Sequence, residues 1–281
     1  MLLLSEIIEE VITMNKLSAI FYQNKGLIPC IPLGDPSLEI SRELIKVLAQ
    51  GGADLINLVI PFSDPVAVSP EMEAAQNRAL QGGITQDKIF EMLSSLREEV
   101  SIPLIFTTYA NPIFIYGPEA FFSQCRATGV QGVIVQDLPV EEQGEFLPAA
   151  DAHGVTLIPM VFPTSEDRIP KITSGAAGFV YCFPPYRPGE ESVVPVITAT
   201  VSQVATVQEI PCVIDLITSP VGHSKEAITT EINGEILEAV AGFMVNIPTG
   251  ALAEPTREAI LGLIKGHIAH LKQLFLAPSS F

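Results

Sequence analysis

Long hydrophobic runs are missing from this sequence of 281 residues. Its most apolar stretches, such as 240–247, are far shorter than the ~18 residues that a transmembrane helix needs. The first ten residues, MLLLSEIIEE, contain three glutamates and no basic residue, so they lack the charged start of a secretion signal. They are typical of an amphipathic helix, which we place at residues 3–14. We therefore expect a cytoplasmic protein.

Basic side chains are also scarce. The sequence has 15 lysines and arginines against 32 aspartates and glutamates, which gives a net charge of −17. An acidic surface repels phosphate backbones and anionic lipid headgroups, so we expect neither nucleic acid nor a membrane as a partner. Charged residues make up only 17% of the chain and apolar residues 48%. This balance predicts a sizeable core and favours an apolar surface that a partner protein covers.

Motifs for metals and disulfides are absent as well. The four cysteines show no CxxC spacing, and the four histidines form no metal-ligand pattern. Three of the cysteines lie in apolar, strand-like runs, which indicates buried free thiols in a reducing compartment. We expect no metal site and no cofactor bound by this chain.

What the sequence does contain is a series of short apolar runs rich in β-branched residues. Continuous apolar strands are typical of a parallel sheet that is covered on both faces. Their number predicts a single-domain α/β protein over residues 1–281, a (β/α)8 TIM barrel with an extra N-terminal helix. An open doubly wound sheet is the alternative, but no GxGxxG follows the first run. The runs begin at Leu27, Asp54, Ile102, Gly132, Gly154, Gly178, Pro211 and Gly242, and helices are predicted at 41–50, 86–99, 118–127, 140–152, 166–173, 197–208, 225–240 and 254–276.

The segments that follow the strands are the place to look for function, because barrels carry their active sites at the carboxyl ends of the strands. Taken together, these segments resemble the tryptophan synthase alpha subunit family. The matching pieces occur in that family's order, and they are LGDP at Leu33, IPFSDP at Ile60, NRAL at Asn77, YANP at Tyr109, DLPVEE at Asp137 and PTSEDRI at Pro163. The resemblance implies retro-aldol cleavage of indole-3-glycerol phosphate to indole and glyceraldehyde 3-phosphate. It also implies docking on a beta subunit, and pyridoxal phosphate would belong to that partner.

The catalytic positions that the resemblance implies are altered. Asn57 stands where the family has its glutamate, and Val68 stands where it has its aspartate. Neither an amide nor an isopropyl group can act as a general acid or base. Glu71 lies just past Val68 and is the candidate substitute.

The phosphate-binding exits are altered too. The resemblance implies glycine-rich exits after strands 7 and 8, where backbone N–H groups bind the phosphate. Asp215 would bring negative charge toward a phosphate ester, and Pro248 has no N–H to donate. Segment 185–192 replaces the family's mobile lid. The pocket for a small-molecule ligand in the barrel mouth is predicted to be lined by Tyr109, Tyr181, Asp215, Leu216, Asn246 and Ile247.

Residues matching the family's contact with the beta subunit are present in the sequence. They are Phe62, Ser63, Asp64, Pro65, Asn111, Asp137 and Pro139. Three interpretations therefore remain open. The chain is a weak or non-catalytic alpha-type subunit that docks on and activates a beta subunit. Alternatively, it is a barrel enzyme with a different, non-phosphorylated substrate, or a working alpha-subunit lyase with substitute acid and base residues.

Overall fold

The computed structural model describes residues 15–21, 25–66, 68–183, 194–216 and 240–247. The predicted N-terminal helix at 3–14, the predicted helix at 254–276 and the lid segment at 185–192 lie outside these ranges. The predicted helix at 225–240 also lies outside them, except for Val240. None of the described helices is long and apolar enough to cross a membrane.

Within the described residues, nine parallel β-strands form one sheet that closes on itself. Ile158 donates its N–H to the carbonyl of Val133 at 2.9 Å, and Pro159 accepts from the N–H of Tyr181 at 3.0 Å. Ile158 and Pro159 are adjacent in the chain, yet one bonds to β4 and the other to β7, so the two ends of the sheet are joined. This closure confirms the predicted barrel and excludes the open sheet. In sheet order β5-β4-β3-β2-β1-β9-β8-β7-β6, the strands are β1 (Gly26–Pro32), β2 (Ile56–Val59), β3 (Leu104–Thr108), β4 (Val130–Val135), β5 (Thr156–Leu157), β6 (Met160–Val161), β7 (Val180–Cys182), β8 (Cys212–Leu216) and β9 (Gly242–Asn246).

Helices and short 3-10 turns connect these strands. The described α-helices are α1 (Leu38–Gln50), α2 (Pro70–Gln81), α3 (Gln86–Leu96), α4 (Ala110–Tyr116), α5 (Pro118–Ala127), α6 (Leu147–His153), α7 (Ile169–Thr173) and α8 (Val194–Val207). Turns of 3-10 helix occur at Ser18–Phe21, Val140–Glu145 and Pro163–Arg168.

The structure corrects the predicted elements in several places. The predicted helices at 140–152 and 166–173 begin as the 3-10 turns Val140–Glu145 and Pro163–Arg168, and only α6 and α7 are α-helical. The run from Gly154 is two short strands, because Pro159 has no N–H for a continuous ladder. Helix α2 was not predicted, since it buries only Ala75, Gln76 and Ala79 and its apolar periodicity is weak. YANP was predicted as a turn, but its last three residues form the start of α4.

The core has two layers, one on each face of the closed sheet. Outside the barrel, side chains of the strands pack against the helices, as Phe106 of β3 does against Phe90 of α3 and Phe121 of α5. Inside the barrel, a smaller cluster includes Ile28 and Ile105. Because successive side chains of a strand point to opposite faces, each strand contributes to both layers.

A short N-terminal segment closes the amino-terminal end of the barrel. Leu17 belongs to the interior cluster, and Ser18 donates its hydroxyl to the carbonyl of Gly178 at 2.6 Å. The ring of Phe21 lies against the backbone of Gly26 and Gly242, where β1 and β9 begin. A side chain at either glycine would occupy the space of this ring. Because this end of the barrel is closely packed, the carboxyl-terminal mouth is the place where a functional site is expected.

Gly242→Ala tests this close packing. The new Cβ would lie 2.7 Å from the carbonyl oxygen of Gly26 and 2.8 Å from the Phe21 ring. Backbone cannot move aside cheaply, so we expect a loss of ~1–3 kcal/mol in the free energy of unfolding, measured by urea titration. Gly144→Ala is the control, since nothing lies within 4 Å of its Cβ. Equal stability of both variants would refute this account of the barrel base.

Candidate functional site

Asn57 lies on β2 with its side chain inside the barrel, and it is almost fully buried. Its Nδ2 donates to Met244 Sδ at 3.1 Å and to Cys30 Sγ at 3.3 Å. Its Oδ1 accepts from the hydroxyl of Thr107 at 2.9 Å. Both the nitrogen and the oxygen of the amide are therefore hydrogen-bonded to side chains of neighbouring strands. At this position the chain has a satisfied structural group without a titratable proton.

A carboxyl group, that of Asp215 on β8, also lies in the barrel interior. Its Oδ2 accepts a 2.5 Å hydrogen bond from the hydroxyl of Tyr181 on β7. Burial raises the pKa of Asp215 to about 6, although the bond from Tyr181 lowers it in part. Burial and the neighbouring carboxylate raise the pKa of Tyr181 well above its ordinary value. Near neutral pH the pair is thus a carboxylate held by a protonated phenol.

Cys30 connects this pair to Asn57. The thiol contacts the Asn57 amide, and burial together with the charge of Asp215 raises its pKa far above the usual range. Asn57, Tyr181 and Asp215 were predicted from the sequence, and the structure brings them into one polar cluster. Cys30, Thr107 and Met244 were missed as members. Strand alternation could have found them, because the register pairs Cys30 with Asn57 and Met244 with Asp215.

Tyr109, which is predicted to line the pocket of the barrel mouth, is buried and contacts the loop after β2. It lies just past β3, and its hydroxyl bonds to both the N–H and the carbonyl of Val66 at 3.1 Å. Its ring packs on that of Phe62, with ring centroids 4.9 Å apart. Burial raises the pKa of Tyr109 to about 12, so the hydroxyl keeps its proton. Tyr109 holds the loop after β2 in position.

Val68 and Glu71 follow on this loop and on α2. Val68 is half-buried. In the chain it lies between Val66, whose backbone bonds to Tyr109, and Ser69, whose hydroxyl caps α2 by accepting from the N–H of Met72. Glu71 is exposed in the first turn of α2. It lies outside the buried cluster around Asn57, so its position does not support a role as substitute acid or base in that cluster.

Two sequence motifs that are far apart in the chain meet beside this loop. Arg78 of α2 donates Nε and Nη2 to the two carboxylate oxygens of Asp35, each at 2.8 Å. Asp35 belongs to the LGDP exit of β1 and is fully buried. The side-chain oxygen of Gln76 also accepts the N–H of Phe62 at 3.1 Å. Helix α2 therefore anchors the exits of both β1 and β2.

The residues predicted to contact a partner lie on the rim of the mouth. Ser63, Asp64, Asn111 and Asp137 are exposed, whereas Phe62, Pro65 and Pro139 are half-buried. Ser63 donates its hydroxyl to Asp64 at 2.6 Å. Asp137 accepts the N–H of Ala110 at 2.7 Å, and so it fixes the start of α4.

Large apolar side chains lie exposed on two of the segments that carry these rim residues, the loop after β2 and α4. Val66 is 54% exposed, and Phe114 and Ile115 on α4 are 65% and 76% exposed. We call Asp64, Val66, Asn111, Phe114 and Ile115 the rim patch. The apolar members of the rim patch were not predicted from the sequence, because YANP was predicted as a turn and not as the start of a helix. Without the helix, the spacing of the apolar residues 113–115 does not show which of their side chains are exposed.

The exits of β8 and β9 are described only in part. Asn246 ends β9 half-buried and is paired in register with Cys30, and Ile247 is buried. Leu216 ends β8, but its side chain lies outside what the structure describes, as do the residues predicted to follow it in the phosphate site. All four cysteines are buried and free, as predicted. Within the described ranges, no group of His, Cys, Asp or Glu side chains is placed to hold a metal ion.

Comparison with known proteins identifies the family. The sequence model of the tryptophan synthase alpha chain matches residues 18–220. The chain belongs to the tryptophan synthase alpha chain family. The alpha chain of Lactiplantibacillus plantarum is 43% identical over 169 residues, and that of Alkaliphilus metalliredigens is 44% identical over 169 residues. Each match covers 60% of this chain and 64% of the relative, so the chain spans less than two thirds of the curated relatives it matches.

A solved member of the family has the same fold. Tryptophan synthase subunit alpha from Legionella pneumophila superposes with a TM-score of 0.79 at 26% identity, over 95% of this chain and all of that one. The family thus accounts for the barrel that the strand pattern predicts. The family resemblance implies carboxylates at positions 57 and 68, where this chain has Asn57 and Val68.

Asp215→Asn tests the buried acid through the pH dependence of stability. The pKa of Asp215 is higher in the folded chain, at about 6, than the ordinary value of 3.8. The folded state therefore binds more protons between these values, and the native chain loses stability as pH rises from about 4 to about 6. Asparagine removes this loss and can still accept from Tyr181, so the variant should be more stable at pH 8, by up to ~3 kcal/mol. Urea titrations from pH 4.5 to 8 measure the difference. Parallel pH profiles for the two proteins would contradict the assignment.

Proposed function

We propose that this chain is an alpha-type subunit with weak or no lyase activity, which docks on a tryptophan synthase beta subunit and activates it. The proposal rests on the hydrogen bonding of Asn57. Its amide is buried and its hydrogen bonds run to Cys30, Met244 and Thr107. The loops on the rim directly beyond it are nevertheless held in defined positions.

The loss of catalysis follows from the two altered positions. Cleavage of indole-3-glycerol phosphate by the family's route needs a carboxylate at each position to move protons, and Asn57 and Val68 cannot do so. Each acid or base contributes ~10²–10⁴ to a rate, so losing both leaves little turnover. The exposed position of Glu71 on α2 disfavours a working lyase with this substitute.

The rim patch supports docking. It combines three exposed apolar side chains with Asp64 and Asn111 at their side, and protein interfaces have such an apolar centre with a polar border. Tyr109 fixes the loop that carries Val66, and Asp137 fixes the start of α4. A surface that is ordered before binding loses less conformational entropy when a partner docks.

Docking is useful without chemistry if the beta subunit has an active and an inactive conformation. A partner that prefers the active conformation shifts the population toward it. A coupling free energy of ~1–3 kcal/mol corresponds to ~5–150-fold in the population ratio. The proposed role therefore needs a selective surface and no acid or base.

Substitution of the rim patch tests this function. The isolated chain should release no measurable indole, yet it should raise the serine-plus-indole rate of its cognate beta subunit. Phe114→Ser with Ile115→Ser should reduce this activation at least ~10-fold, because the exposed apolar anchors of an interface carry much of its binding energy. Asp64→Ala should reduce it less, since charges on an interface border contribute little.

Val207→Ser is the matched control for these variants. Val207 is also exposed, at 44%, but it ends α8 at the far end of the barrel from the rim. It should leave activation unchanged. If the wild-type chain neither binds nor activates the beta subunit, or if Val207→Ser is as damaging as the rim variants, the proposed function is wrong.

Restoring the family's carboxylates should not restore the enzyme. In the double variant Asn57→Glu with Val68→Asp, the new carboxylate at position 57 would lie in the cluster that already contains Asp215, and like charges resist joint ionisation. We expect indole release below ~1% of a working alpha subunit, measured in a coupled assay, since the altered exits of β8 and β9 remain. Full activity would show that the two positions alone had switched the reaction off.

A second candidate function is favoured by Asp215 itself. A buried carboxyl with a pKa near 6, bonded to a tyrosine, is a group of the kind that enzymes use for proton transfer. In that case the chain would be a barrel enzyme with a different, non-phosphorylated substrate.

A further inference from the structure

Asp215 has one carboxylate oxygen whose hydrogen bonding is incomplete. Oδ2 accepts from Tyr181, but Oδ1 is buried and has no partner among the residues that the structure describes. Asp215 as a whole is 7% exposed. A buried oxygen that accepts nothing is costly, and more so when it carries charge, so such an atom marks a position where a donor is missing.

A row of aromatic rings begins at Tyr181, which bonds to the other oxygen of this carboxylate. Tyr181 packs edge-on against Phe183, with ring centroids 6.0 Å apart, and Phe183 lies 5.6 Å from Phe162. Phe162 and Phe183 are only half-buried and follow the carboxyl ends of β6 and β7. Three rings thus extend from the carboxylate toward the mouth of the barrel.

A carboxylate beside aromatic rings is suited to one class of small molecule. An ammonium group offers N–H donors and a positive charge to the carboxylate, and cations are also attracted to the faces of aromatic rings. The net charge of −17 raises the local concentration of cations and repels phosphate esters. Aromatic or aliphatic substituents of the ligand could cover the exposed parts of Phe162 and Phe183.

We propose that the barrel mouth is a binding site for a small organic ammonium ion, whose N–H groups donate to Oδ1 of Asp215 and whose apolar part packs on Tyr181, Phe183 and Phe162. The site goes beyond the proposed docking function and does not depend on it. Ligand binding here concerns the isolated chain, whereas docking concerns the outer rim.

Binding should depend on pH through Asp215. The titratable groups that face it are Tyr181 on β7 and Cys30 on β1, and Cys182 lies near Tyr181. Burial raises the pKa values of Tyr181 and Cys30, and the contact with the Cys212 thiol together with burial raises that of Cys182, so all three groups stay protonated near neutral pH. Ammonium binding should therefore strengthen as pH rises through about 6, where Asp215 ionises.

Titration calorimetry with phenethylammonium as the probe tests the site on the full chain. The cation should bind, and neutral 2-phenylethanol and anionic phenylacetate, which keep the ring, should bind at least ~10-fold more weakly. Asp215→Asn should weaken binding of the cation by ~10–100-fold, because it removes the charge that the ammonium group meets. Thermal denaturation at pH 8 checks that this variant is folded.

Tyr181→Phe separates a ligand site from a merely structural pair. It removes the hydrogen bond that lowers the pKa of Asp215, so the pH midpoint of ammonium binding should move upward while binding at pH 8 persists. Three results would each overturn the proposal: no binding of phenethylammonium at millimolar concentration, equal binding of 2-phenylethanol, or unchanged binding by Asp215→Asn.

Discussion

Closure of the barrel is the constraint on which the remaining structure depends. Once β5 and β6 bond to opposite neighbours, every second side chain of each strand points into a small, closed interior. Polar groups in such a space are stabilised when they find partners in the neighbouring walls, because a buried polar atom without a hydrogen bond is costly. The bonds of Asn57 to three strands and the bond between Tyr181 and Asp215 are the local solutions to that demand.

This constraint explains how the chain can carry an amide at position 57 and still keep the fold of its family. An amide at position 57 fills its space and bonds to two sulfur atoms and a hydroxyl, so the wall remains intact. The acidic group of the interior lies instead on β8, across the cluster, where it meets a tyrosine. The rim is held separately, by Tyr109 and Asp137, so its geometry does not depend on the residue at position 57.

The fold and the inner members of the site were largely predictable from the sequence, whereas the rim was less so. Apolar runs and the family's motifs located the strands, and they placed Asn57, Tyr181 and Asp215 at their carboxyl ends. Helix α4 escaped prediction because its first residue is capped by Asp137, a contact over 27 positions that no local pattern contains. Phe114 and Ile115 are exposed on this helix, so the apolar part of the rim patch was missed with it.

The central claim is that the barrel has lost the proton transfers of its family while its rim still serves a partner. The most direct test is single-turnover release of indole from indole-3-glycerol phosphate, with this chain in excess and saturated with its beta subunit. In that state the partner has already supplied any activation it can. The account predicts no indole above the uncatalysed background over many minutes. A burst of indole equal to the amount of substrate bound would contradict it.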